Sequence, residues 1–64
     1  MKNRVKEFRK LKGFTQEQLA DVIEVSRQTI NAIEKQKFDP SLPTAFKMAQ
    51  LFEVQIEDLF LYQD

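Results

Sequence analysis

A run of 21 residues, TQEQLADVIEVSRQTINAIEK at positions 15–35, constrains the fold more than any other part of this chain. Apolar side chains recur in it with the spacing of two amphipathic helices, first at Leu19, Ala20 and Ile23 and then at Ile30 and Ile33. Only Glu24 and Val25 separate the two patterns before Ser26, a residue type favoured at helix N-termini. The run therefore predicts two short helices joined by a tight turn, with the small Ala20 near their crossing.

The flanking sequence predicts three more helices. Residues 3–12 carry an apolar face on which Arg9 lies unexpectedly, and Gly13 ends that helix because glycine adopts positive φ without steric cost. Ser41 is placed to cap a helix of about residues 42–52. The inward face of that helix is expected to contain Leu42, Ala45, Phe46, Ala49 and Phe52. A short helix follows in the segment IEDLF, and no stretch of the main body shows the alternation of a strand, so we expect one all-α domain over residues 1–64.

Composition excludes several classes of protein. The 64 residues include no Cys and no His, so disulfides are impossible and a transition-metal site lacks its usual ligands. The carboxylates are scattered along the helices and no glycine-rich phosphate loop is present, so we expect no enzyme, no cofactor, no metal and no small-molecule ligand. No apolar run is long enough for a signal peptide or a membrane span, and the absence of cysteine suits a cytoplasmic protein.

Charge is distributed unevenly along the chain, although its net charge is zero. Residues 1–37 hold nine basic and five acidic side chains, which leaves +4, whereas residues 38–64 hold one basic and five acidic, which leaves −4. A polyanion such as nucleic acid would therefore meet the first part of the chain, and the second part would face away from it.

The predicted third helix, residues 27–35, has an unusual outward face. On a helical wheel Ile30, Ile33 and Glu34 point inward, and the remaining circumference carries Arg27, Gln28, Thr29, Asn31 and Ala32. Surface helices usually favour Glu and Lys, so helix stability does not explain this choice of residues. Amide side chains can pair with adenine, a guanidinium with guanine and a methyl group with thymine. The residues alone leave two interpretations open, which are a base-reading face and a polar surface that happens to lack glutamate.

Taken in order, these residues resemble a known family. The helix-turn-helix of Cro/cI-type, or Xre-type, transcriptional regulators shows the same pattern as Gln16-x-x-Leu19-Ala20, Val25-Ser26, Ile30 and Ile33-Glu34. The likeness extends upstream to Arg9 and Gly13 and downstream through PSLPTAFKMAQLFEV to IEDLF. It is greatest to compact stand-alone repressors, of which the cytolysin operon repressor is one example. The resemblance implies a five-helix, lambda-repressor-like DNA-binding domain whose second and third helices, about residues 15–35, form the helix-turn-helix.

The resemblance also implies roles for individual residues. Base contacts are expected from Arg27, Gln28 and Asn31, with Thr29 and Ala32 as further candidates. Phosphate contacts are expected from Gln16, Lys35, Lys37, Ser41, Arg4 and Lys10, although several of these could be ordinary solvated side chains. An ion pair between Arg9 and Glu34 would explain two charges on apolar faces, but each could instead reach solvent by itself. The family usually has glycine where this chain has Glu24, and a side chain at positive φ there would cost about 1 kcal/mol.

Self-association is expected because one recognition helix reads only a few base pairs. Two-fold dimers reach the half-sites of a palindromic operator, which lie about 34–36 Å apart. The candidate dimerisation segment is about residues 54–64, through Phe60, Leu61 and Tyr62. Two alternatives stay open, since the apolar tail could fold onto its own domain or could bind a different protein, as in an antitoxin-like module or a co-regulator. The leading prediction is a homodimeric repressor that recognises double-stranded DNA.

Overall fold

The five predicted helices are all present, and a short strand lies at each end of the described chain. The structure is a computed structural model that describes residues 1–62, so Gln63 and Asp64 of the predicted C-terminal segment lie outside the described residues. In chain order the elements are β1 (Lys2–Asn3), α1 (Val5–Leu11), α2 (Gln16–Ile23), α3 (Arg27–Glu34), α4 (Leu42–Phe52), α5 (Ile56–Leu59) and β2 (Phe60–Leu61). The longest helix in this range, α4, has 11 residues, and none of the described helices could cross a membrane.

Side-chain caps begin three of the described helices. The Thr15 hydroxyl accepts a hydrogen bond from the Gln18 backbone N–H at 3.0 Å, and the Gln18 side chain accepts one from the Thr15 N–H at 2.9 Å. This reciprocal capping box begins α2. The hydroxyls of Ser26 and Ser41 accept from backbone N–H groups in the first turns of α3 and α4, at 3.1 and 3.3 Å. The caps that the sequence predicts at Ser26 and Ser41 are therefore confirmed.

Left-handed backbone ends several helices, only one of them at glycine. The angle φ lies between 58° and 78° at Gly13, Glu24, Gln36 and Glu53. At the α2–α3 turn the Val25 N–H donates to the Ala20 carbonyl at 3.0 Å, which closes the end of α2. Glu24 has φ 63° in this turn, so it occupies the conformation that favours glycine and carries about 1 kcal/mol of strain.

The apolar core receives one face of each longer helix. Its completely buried side chains are Val5, Leu19, Ile30, Ile33, Met48 and Leu59. The prediction for α4 was wrong in part, because Leu42 and Phe46 are 64% and 47% exposed and Met48 takes an inward position instead. The buried face of α4 centres on Ala45 and Phe52, and Phe46 lies roughly 100° around the helix from Ala45.

A two-stranded antiparallel ribbon joins the two ends of the described chain, and the sequence did not predict it. In the ribbon Lys2 lies opposite Leu61, and Asn3 lies opposite Phe60. Each strand has two residues, which is too short for an alternating pattern to be visible in the sequence. The ribbon holds the C-terminal segment beside the start of α1.

Candidate nucleic-acid interface

The third helix presents outward the side that the sequence predicts. Ile30 and Ile33 are completely buried, and this burial fixes the rotation of α3 against the core. Of the predicted base-contacting residues, Arg27 and Gln28 are exposed, whereas Thr29, Asn31 and Ala32 are half-buried. The N-terminal end of α3 therefore presents a guanidinium and an amide side by side to solvent.

Two predicted contacts involve hydroxyl groups that the helix caps already use. The Thr29 hydroxyl lies 2.8 Å from the Ser26 hydroxyl. The Ser41 hydroxyl donates to the Thr44 hydroxyl at 2.9 Å. A DNA contact at Thr29 therefore falls mainly to its methyl group, and a phosphate contact at Ser41 falls to the backbone N–H groups at the start of α4.

Arg9 and Glu34 form a buried ion pair beneath α3. Arg9 Nε donates to Glu34 Oε2 at 2.7 Å and Arg9 Nη2 donates to Glu34 Oε1 at 3.2 Å, with the two side chains 9% and 4% exposed. Arg9 Nη1 also donates to the Phe14 carbonyl at 2.8 Å. Of the two alternatives that the sequence leaves open, the structure contains the pair, which ties the C-terminal end of α3 to α1 and to the segment before α2.

Gln16 lies at the start of α2, and its side-chain amide faces the protein rather than solvent. Its Nε2 donates to Glu34 Oε1 at 3.1 Å and to Asn31 Oδ1 at 3.2 Å. Both N–H groups of the amide are thus used inside the protein. The predicted phosphate contact from the Gln16 amide would require one of these hydrogen bonds to break.

The remaining predicted phosphate contacts fall into two groups. Lys10, Lys35 and Lys37 are exposed, and none of them forms an ion pair within residues 1–62. Arg4 instead donates to both carboxylate oxygens of Glu7, at 2.8 and 3.0 Å. This hydrogen bonding lowers the pKa of the Glu7 carboxyl and raises the pKa of the Arg4 guanidinium. The three lysines are therefore better placed than Arg4 to meet a phosphate.

Asn3 positions α3 from outside the helix-turn-helix, a role that the sequence does not predict. Its Nδ2 donates to the Ile33 carbonyl at 2.9 Å, near the C-terminal end of α3. Its Oδ1 accepts from the Val5 N–H at 3.1 Å, at the start of α1. The contact with the Val5 N–H is local, but nothing in the sequence connects Asn3 with α3.

The predicted dimerisation residues differ in their exposure. Phe60 is 8% exposed and belongs to the monomer core, so the prediction that it lies on a dimerisation surface needs correction. It is buried because β2 pairs with β1 across the end of the core. Leu61 is half-buried and Tyr62 is 75% exposed. The apolar tail is thus folded partly onto its own domain and partly left at the surface.

An apolar hollow of about 210 Å³ lies beside this tail. Its lining includes Leu42 and Ala45 of α4, Ile56 of α5 and Phe60 of β2. Leu42, which its spacing predicts to face the core, lies exposed at the edge of this hollow. The surface available to a partner is therefore wider than the predicted tail and includes the N-terminal end of α4.

The class of protein follows from how α2 and α3 are joined. The second of the two helices is held by its buried side and turns guanidinium and amide groups outward, which is the arrangement that places a recognition helix in the major groove. By fold and by surface the chain is a small DNA-binding domain of the helix-turn-helix class.

Comparison with known proteins assigns the family. The helix-turn-helix family matches residues 5–59. An uncharacterized HTH-type transcriptional regulator of Methanocaldococcus jannaschii is 59% identical over 64 residues, which cover all of this chain and 97% of that protein. The regulator YgzD of Bacillus subtilis, also uncharacterized, is 44% identical over 64 residues, again 100% of this chain and 97% of its own. The chain therefore belongs to the Cro/cI-type family of helix-turn-helix transcriptional regulators, which are DNA-binding proteins and not enzymes.

Solved structures agree with this assignment. The restriction-modification controller protein C.AhdI from Aeromonas hydrophila has a TM-score of 0.79 at 30% identity, over 89% of this chain and 86% of that one. The N-terminal DNA-binding domain of SinR from Bacillus subtilis has a TM-score of 0.75 at 27% identity, over 84% of this chain and 80% of that one. The predicted lambda-repressor-like fold with five helices is confirmed.

Proposed function

We propose that this protein binds a palindromic operator in double-stranded DNA as a homodimer and represses transcription, with α3 in the major groove. The observation that carries the proposal is the exposed pair Arg27 and Gln28 on a helix whose other side is buried. A guanidinium pairs bidentately with guanine O6 and N7, and an amide pairs in the same way with adenine N6 and N7. Ala32 offers a methyl group to thymine and is small enough to let the bases approach.

Lysines next to the recognition helix supply the phosphate contacts in this proposal. Lys35 and Lys37 follow α3 directly, and Lys10 lies on α1. Each is exposed, so each can approach a phosphate without losing an ion pair within the described part of the chain. Backbone N–H groups at the N-terminal ends of α2 and α4 add favourable dipoles for the same anion. One neighbouring structure, the SinR domain, is itself described as DNA-binding.

The homodimer is proposed from the size of the domain and from its apolar surface. One copy presents one recognition helix and measures 31 × 23 × 20 Å, whereas successive half-sites lie about 34–36 Å apart. Exposed Tyr62, half-buried Leu61 and the edge of the hollow at Leu42 supply apolar area that a second copy would cover. A dimer over its operator excludes other proteins from that DNA, which is the simplest form of repression.

The same apolar surface favours a second candidate function. A different protein could cover Leu42 and Tyr62, as in an antitoxin-like module or a co-regulator that contacts DNA only weakly by itself. Size-exclusion chromatography with light scattering separates the two candidates. A dimer formed by the purified chain supports the homodimeric regulator, and a monomer at micromolar concentration supports the interaction module.

Selection of bound sequences from random duplex DNA tests the proposal directly. We expect the purified protein to enrich a palindrome whose half-sites are centred about 10–10.5 base pairs apart. The Gln28→Ala variant, selected in parallel, should enrich a sequence that differs at one position of each half-site. If the wild-type protein enriches no particular sequence, sequence-specific binding is overturned. If it enriches an asymmetric single site, the two-fold dimer is overturned.

A further inference from the structure

Gln16 joins the base-reading side of α3 to the buried ion pair, and the chemistry of that pair sets the direction of each hydrogen bond. The Arg9 guanidinium can only donate, so both oxygens of Glu34 accept from it. The carboxylate can only accept, so the group that Gln16 turns toward it must be its NH₂, 3.1 Å from Glu34 Oε1. The other N–H of that group then reaches Asn31 Oδ1 at 3.2 Å.

This direction decides what Asn31 offers to DNA. Its side-chain oxygen is turned toward Gln16, so its NH₂ is the group left to meet a base. Asn31 is half-buried and held at one end of its amide, so it loses little rotamer freedom on binding. The orientation of a residue on the recognition helix thus follows from a series of contacts that begins at Arg9 on α1.

We propose that Asn31 is a specificity-determining hydrogen-bond donor and that Gln16 is its positioning residue, an assignment that rests on the DNA-binding function proposed above. Asn31 donates its NH₂ to an acceptor on a base edge in the major groove, which is a purine N7, guanine O6 or thymine O4. Cytosine presents only its N4 amino donor there, so two donors would meet and cytosine is disfavoured at the base that Asn31 reaches. Gln16 makes no phosphate contact in this assignment.

A double-mutant cycle tests the positioning role. Affinities of the wild type, Gln16→Ala, Asn31→Ala and the double variant are measured on the selected operator and on operators with each base pair of the half-site changed in turn. We expect both single variants to lose discrimination at the same base pair. The two losses should overlap, because Gln16 acts through Asn31. The double variant should therefore bind at least about threefold more tightly than it would if the fold losses of affinity of the two single variants multiplied. If the two fold losses multiply and Gln16→Ala weakens binding to every operator equally, then Gln16 contacts a phosphate or has a purely structural role. That result would overturn the proposal.

The variant Asn31→Asp tests the donor itself. It keeps an oxygen for Gln16 to bond but turns an acceptor toward the groove, so base preference at that position should move toward cytosine while the added negative charge weakens all binding. An unchanged preference would overturn the donor assignment. Gln50→Ala, at an exposed glutamine on α4, is the matched control and should change neither affinity nor preference. Far-UV circular dichroism checks that each variant is folded.

These outcomes separate the inference from the function on which it rests. If the wild-type protein enriches no sequence, the proposed function fails. If it enriches an operator but Gln16 and Asn31 act independently on it, only the present inference fails.

Discussion

Replacement of Arg9 by methionine is the perturbation whose size follows most directly from the structure. It leaves the Glu34 carboxylate, whose side chain is 4% exposed, with Gln16 as its remaining hydrogen-bond donor. Removal of one partner from a buried ion pair costs about 3–5 kcal/mol, because the other charge stays desolvated. The Phe14 carbonyl also loses the hydrogen bond that Arg9 donates to it at 2.8 Å.

This loss is comparable with the whole stability of the domain. At about 0.05–0.15 kcal/mol per residue, a chain of 64 residues has a free energy of unfolding of roughly 3–10 kcal/mol. A domain of this size loses about 4–8 °C of thermal midpoint for each kcal/mol, so Arg9→Met should lower the midpoint by roughly 12–40 °C. Urea and thermal unfolding followed by far-UV circular dichroism give both quantities.

The double variant Arg9→Met/Glu34→Leu shows whether a stranded charge is the cause. It removes both charges and should recover most of the stability that Arg9→Met loses. Arg4→Met is the matched control, because it removes an arginine whose side chain is 42% exposed from its surface pair with Glu7 and should barely move the midpoint. A loss below about 1 kcal/mol in Arg9→Met would mean that the buried pair behaves like a surface pair, and would refute its role as the anchor of α3.

Four further predictions concern single side chains. Gln28→Ala should lose about 1–3 kcal/mol on the selected operator by fluorescence anisotropy, with random DNA unaffected; an equal loss on both would exclude base reading. Lys35→Ala should weaken binding to all sequences and reduce the slope of log affinity against log salt by about one; an unchanged slope would exclude a phosphate contact. Glu24→Gly should raise the free energy of unfolding by up to about 1 kcal/mol in urea, because glycine relieves the positive φ; a loss would contradict the strain. The pKa of Glu7, followed by NMR titration, should lie below its usual range and rise in Arg4→Met. The contribution of the ionised Glu7 to stability is present above the unfolded-state pKa of this carboxyl and is lost as the pH falls through its folded-state pKa.

The helix boundaries could be predicted because the signals for them are local. A serine or threonine that caps a helix bonds an N–H within the same turn, so the roles of Thr15 and Ser26 can be read without knowing the fold. The inward face of α4 was harder, because an apolar series with several members fits more than one rotation of the helix. The choice of Met48 over Phe46 depends on which elements pack against α4, and that is a property of the tertiary structure.

The candidate site divides in the same way. The outward face of α3 follows from helical periodicity alone, and the structure leaves Arg27 and Gln28 exposed there. The partners of Gln16 could not be predicted, because they lie 15 and 18 residues further along the chain. An amide can donate equally well to a phosphate and to a carboxylate, so residue type alone does not distinguish the two roles. The contact from Asn3 to Ile33 spans 30 residues and was missed for the same reason.

The polar character of α3 is compatible with a stable fold because its stabilising contacts all lie on one side. With 8 residues it is shorter than the roughly 12–15 that an isolated helix needs, so tertiary contacts must hold it. Burial of Ile30 and Ile33, the Glu34 ion pair and the Ser26 cap supply those contacts, and none of them involves Arg27 or Gln28. Arg27 and Gln28, which are proposed to read bases, can therefore change without unfolding the domain, and different operators can be recognised on an unchanged scaffold. Gln28→Ala separates the two properties, since it should reduce operator affinity and leave the unfolding midpoint where it was.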